Sequence, residues 1–119
     1  MLTPDAIDLS SATLSTAGFA IDDALVTVQA AYSEVDGDFD IIPLQTNDDS
    51  NYNPIYDSKG RSIVWRVRPG VKTSGNVTFN IPPELYVLKL MLKCSPVSGK
   101  FAATQGTVTF TIKNSIDEA

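Results

Sequence analysis

Apolar side chains in this chain recur at every second position, in short segments bounded by glycine, proline, asparagine and aspartate. A period of two is the signature of strands, because successive side chains on a strand point to opposite faces. Residues 25–32 set Val26, Val28, Ala30 and Tyr32 against Thr27 and Gln29. Residues 62–68 set Ile63, Trp65 and Val67 against Arg66 and Arg68, with Val64 beside them. In 76–81, Val77, Phe79 and Ile81 oppose Asn76, Thr78 and Asn80. Residues 85–94 turn Tyr86, Leu88, Leu90, Leu92 and Cys94 one way and Lys89 and Lys93 the other. Residues 107–113 repeat the scheme with Val108, Phe110 and Ile112 opposite three threonines. Each segment has one wet and one dry face, so two sheets must close on each other.

Weaker strands are expected at 7–9, 18–21, 39–44 and 54–56. Turn chemistry lies between the strands at Asp36-Gly37, Asp57-Ser58-Lys59-Gly60, Pro69-Gly70, Ser74-Gly75, Pro82-Pro83, Ser98-Gly99 and Gln105-Gly106. Seven to nine short strands at this spacing predict an all-β fold, an antiparallel immunoglobulin-like β-sandwich. At 119 residues the chain has the length of a single domain able to bury roughly two thirds of its unfolded surface. Short polar tails, 2–16 and 114–119, are expected to flank that domain.

Several function classes are disfavoured. There is no histidine, which removes the usual general base and the commonest metal ligand, and one cysteine, Cys94, allows no internal disulfide. A net charge of −5 argues against nucleic acid and anionic lipid, which are held by clustered lysine and arginine. No apolar run approaches the ~20 residues of a membrane-spanning helix. The polar, acidic start, Met1-Leu2-Thr3-Pro4-Asp5, is unlike a secretory leader, which fits a chain made without export or one already trimmed.

The run Asp57-Ser58-Lys59-Gly60-Arg61, then a strand, Arg68-Pro69-Gly70, and Ser74-Gly75 leading into Val77-Thr78-Phe79-Asn80-Ile81-Pro82 has a familiar order. It resembles the immunoglobulin-like domains of bacterial immunoprotective extracellular proteins, many of them tethered lipoproteins, over residues 57–93. The resemblance implies a non-enzymatic sandwich that displays loops or a sheet face to a partner. It carries over no functional residue. Residues 33–38 replace the asparagine-rich segment that such domains commonly carry, and no lipid-attachment cysteine lies near the start.

Among candidate sites, Asn51, Tyr52 and Tyr56 lie in an asparagine-rich loop, 46–56, whose composition suits recognition. Thr107, Thr109 and Thr111 are expected to line an edge strand that another chain could extend. Asp36, Asp38 and Asp40 alternate around Gly37 and offer oxygen ligands for calcium, although alternate acids also sit naturally on a wet hairpin face. Trp65 with Arg61, Arg66, Arg68 and Lys72 could hold a sugar or a carboxylate; strand alternation instead makes Trp65 a core residue and the arginines partners of nearby acids. Cys94 falls on a dry face, as a small hydrophobe. Paired carboxylates are the one catalytic device the composition leaves, and fourteen acids make some pair inevitable.

The expectation is therefore a non-catalytic structural or protein-binding module without cofactor, binding a protein partner or assembling with itself. It would be displayed at a bacterial surface or secreted, or be an accessory subunit of a phage-like particle. The alternative is a small carbohydrate- or calcium-binding domain.

Overall fold

Alternation in the sequence becomes alternation in burial. The computed structural model describes residues 2–20, 26–81 and 89–114, and within them the chain forms nine strands and no helix. These are β1 (Ile7–Asp8), β2 (Phe19–Ala20), β3 (Val26–Ser33), β4 (Phe39–Thr46), β5 (Asn53–Pro54), β6 (Trp65–Val67), β7 (Gly75–Ile81), β8 (Lys89–Pro96) and β9 (Thr107–Asn114). Residues 21, 25, 82–88 and 115–119 of the expected strands, turns and tails lie outside the described residues.

The strands form two antiparallel sheets packed face to face, a β-sandwich. The first has the order β1-β9-β3-β7. In the second the order is β2-β8-β4, with β5 and β6 pairing successive stretches of the far side of β4. Val28, Ala30, Phe39, Ile41, Leu90, Leu92, Cys94, Val108 and Phe110 are fully buried between them. All but Phe39 and Ile41, which lie in the weaker strand expected at 39–44, sit at positions the period of two assigns to a dry face.

Two contacts close the open side of the sandwich. Trp65 of β6 reaches across to stack on Phe79 of β7, with ring centroids 4.3 Å apart and planes 9° from parallel. Tyr32 meets Phe39 edge-on at 6.2 Å. Tyr32 lies directly across from Gly75, and a Cβ there would fall 2.7 Å from its hydroxyl, so glycine is needed at that point.

The N-terminal segment closes the opposite side, and it is docked along most of its length where a polar tail was expected. Leu2 and Ile112 exchange two backbone hydrogen bonds, and β1 pairs with β9. The chain then turns over Asp8 to Ser11 and descends along β8: Thr16 N–H donates to Leu92, Cys94 N–H donates to Leu14, and β2 pairs with Leu90 and Lys89.

The structure corrects one expectation. β9, with Thr107, Thr109 and Thr111, is an interior strand between β1 and β3: it pairs along its full length with β3 and, on its other side, with β1 at Thr107 and Val108 and with Leu2 at Ile112. The threonines do face outward, Thr107 exposed and the other two half-buried. Pairing β9 with β3 instead of β8 also gives a sheet order different from the constant-type immunoglobulin arrangement, in which the last strand lies beside the penultimate one. The alternation fixes which face each side chain joins; it does not choose which strands become neighbours.

Leu92→Ala should cost about 2–5 kcal/mol in a denaturant titration, because it leaves a void in a fully packed layer. Met91→Ala, one position along and only half-buried, should cost less than half as much. Equal losses would contradict the assignment of faces.

Candidate functional site

The acidic residues are bound up in local structure. Asp36 accepts the backbone N–H of Thr104 at 2.7 Å and of Gln105 at 3.1 Å, and the Thr104 hydroxyl as well. These bonds, the hydroxyl's first, hold its carboxyl below the usual range. Asp38 lies 3.9 Å from Arg68, and its backbone joins the loop after β8 through Phe101, Val97 and Ala103. Asp40 takes a two-pronged bond from Arg66, directly opposite it on β6, at 2.8 and 3.1 Å. That contact raises the guanidinium's pKa. The three carboxylates therefore face three different partners. Among the described residues, no three acidic or cysteine side chains come together as a metal ion would require.

Loop 46–56 is equally self-contained. Asp48 accepts N–H donors from Ser50 at 2.9 Å and Asn51 at 2.8 Å, the Asn51 side-chain amide and the Thr46 hydroxyl, and Asp49 pairs with Lys89 at 3.0 Å. The Asn51 N–H makes the largest contribution to depressing the Asp48 carboxyl. Tyr52 is half-buried over Gly18, where any Cβ would collide with its hydroxyl. Tyr56 is 60% exposed beyond β5, at the base of the turn built on Asp57 and Gly60. The expected contact site is thus divided: Asn51 serves the loop itself, Tyr52 packs over Gly18, and Tyr56 stands apart from both.

Trp65 spends an indole face on Phe79, as a core residue does. Cys94 is fully buried, and desolvation pushes its thiol up to about 12, so it is not a nucleophile in the folded chain. A groove of about 660 Å³ runs beside the N-terminal segment between residues 2–8 and 11–19. Among the described residues its titratable side chains are Asp5 and Asp8, and Asp8 is already bonded to Ser10.

The outer surfaces hold what sequence reasoning missed. The outer face of the first sheet is polar: Thr27 donates to Asn80 at 3.0 Å and Gln29 to Asn76 at 3.5 Å. The outer face of the second is apolar at its centre, where Ile42, Leu44 and Met91 are half-buried, next to exposed Val64. A signal for that was present, since Ile41-Ile42-Pro43-Leu44 and Leu90-Met91-Leu92 are apolar at consecutive positions.

The edges differ more sharply still. β1, β2 and β5 have two residues each, β5 contains Pro54, and β6 has three residues with Arg66 among them. Short length, proline and charge are the usual protections of a sheet edge. β7 has seven residues, Gly75-Asn76-Val77-Thr78-Phe79-Asn80-Ile81, with no charge, no proline and an unbroken register along β3. Among the described residues, nothing pairs with its outer edge. No known protein family matches the chain, and neither curated proteins nor solved structures yield a match.

Two measurements check this account. The carboxyls of Asp8, Asp36, Asp48 and Asp57 are all lowered in the fold by hydrogen bonds, so the unfolded chain binds more protons. Their stabilisation is full above the ordinary carboxylate pKa of about 4 and is lost as pH falls below it. Melting temperature should therefore decline with acid below that point, and less steeply in Asp48→Ala. A thiol reagent should label Cys94 only under unfolding conditions.

Proposed function

We propose that the protein is a non-catalytic structural or protein-binding module, whose recognition element is the open edge of β7. The observation that carries this reading is the contrast among edges: one long, uncharged, unprotected strand on a sandwich whose other described edges are short, charged or proline-bearing. Such an edge presents unpaired N–H and C=O groups at fixed spacing, and an extended segment of another chain satisfies them as an added strand. Backbone bonds supply affinity, while the outward Asn76, Thr78 and Asn80 and the inward Val77 and Phe79 select the side chains that fit.

The use of the interior supports the same reading. Its side chains are committed to packing, the arginines and acids of the loops to one another, and the thiol to the core. A module of this kind suits either display at a bacterial surface or service as an accessory subunit of a phage-like particle. In both settings the work is adhesion between protein surfaces.

Thr78→Lys and Thr109→Lys place the same charge on the same polar face, one on the edge strand and one on the interior strand. Both proteins should fold. Only Thr78→Lys should be lost from the protein's native assembly when its retention is measured by quantitative blotting. Equal retention of the two would overturn the edge as the recognition element.

A further inference from the structure

The partner strand that best fits the edge of β7 is β7 itself. We propose that two copies of this chain associate through their β7 edges, antiparallel about a two-fold axis at Thr78, so that their first sheets join into one. This rests on the reading of β7 as a recognition edge and names its occupant.

The argument begins with the order of residues. In Asn76-Val77-Thr78-Phe79-Asn80 the side-chain classes read the same in both directions. A two-fold axis at Thr78 sets Thr78 against Thr78, Asn76 against Asn80 of the second copy, and Val77 against Phe79 of the second copy. Polar side chains meet on the outer face, and apolar ones meet on the inner face. Gly75 and Ile81, the strand's first and last residues, also fall opposite each other, so the full seven residues pair without overhang. A slip of one residue would set asparagine against phenylalanine across the two faces, and a slip of two would leave residues unpaired at the strand ends, so alternation and full overlap together favour the centre at Thr78.

Charge and hydrogen bonding agree with this arrangement. The chain carries −5 overall, and like-charged copies repel, yet residues 73–83 contain no ionisable side chain. The interface thus lies where self-repulsion is weakest. Asn80 and Asn76 use their carbonyl oxygens to accept from Thr27 and Gln29. Among the described residues their amide nitrogens have no partner, and each carbonyl keeps a second lone pair. Set opposite one another, the two asparagines can exchange those bonds.

Joining the edges also completes the inner face. Val77 and Phe79 are only half-buried, and among the described residues no strand lies beyond them. In the pair each gains an apolar neighbour from the second copy, next to the Trp65 stack that closes the same side of the sandwich. An isologous contact of this type closes on itself and produces a dimer, not a fibre.

Sedimentation across a concentration series tests the proposal. The wild-type chain should move toward twice its 12.8 kDa mass as concentration rises. N76K/N80K sets lysine against lysine at two positions and should weaken dimerisation about tenfold or more. N76K/N80D carries substitutions at the same two sites but sets lysine against aspartate, and it should dimerise at least as well as wild type. Far-ultraviolet spectra and melting curves establish that both variants fold.

A wild-type chain that stays monomeric throughout overturns the second copy as occupant. The edge reading itself is then still decided by the retention of Thr78→Lys against Thr109→Lys. A dimer indifferent to charge at 76 and 80 also overturns the proposal, since its interface then lies elsewhere, such as the apolar centre of the second sheet. Equal loss of dimer in both double variants overturns the antiparallel register.

Discussion

The whole structure depends on two long strand pairings whose inward side chains share one apolar layer. β3 with β9 and β4 with β8 each run eight residues in unbroken antiparallel register. Because the side-chain period is two, a shift of either pairing by one residue would send its buried set to solvent. Val28 and Phe110 on one side, Ile41 and Leu92 on the other, hold those registers because none has another place to be dry. The remaining strands are placed relative to this frame. The N-terminal segment seals one flank by pairing first with β9 and then with β8, and the Trp65–Phe79 stack seals the other.

That use of the interior leaves the acids of the described loops to local partners. A carboxylate is stabilised most cheaply by backbone N–H groups that would otherwise point unpaired into a turn. Asp36, Asp48 and Asp57 each do this, and each holds a different loop. Asp40 and Asp38 face Arg66 and Arg68 instead. Convergence on a metal or a substrate would leave those loops without their organising acceptors. The charge is present in the composition and is spent on turns.

The two outer faces then divide the surface by chemistry. The first sheet shows threonine, asparagine and glutamine, and the second shows an apolar centre between ion pairs. β7 lies where the polar face meets the flank that the Trp65–Phe79 stack seals, and it is long, neutral and regular where the other edges are broken up. Short length, charge and proline protect the other edges, and none of the three protects this one.

Much of the fold could be read directly from residue order. The dry faces around Val28, Phe79, Leu92 and Phe110, the turns at Asp57 to Gly60 and at Ser98-Gly99, the burial of Cys94 and the inward placement of Trp65 follow from local alternation and turn chemistry, which need only near neighbours. Which strands lie side by side does not follow, because a strand's pattern states what it must bury and is silent on whom it pairs with. For that reason Thr107, Thr109 and Thr111 look like an edge in sequence and are interior in space, while Asn76, Thr78 and Asn80, equally alternating, occupy the true edge. The same reason separates Tyr52 from Tyr56: their nearness along the chain is local, but docking over Gly18 brings together residues far apart in sequence, and only the assembly of β2, β8, β4 and β5 into one sheet creates that contact.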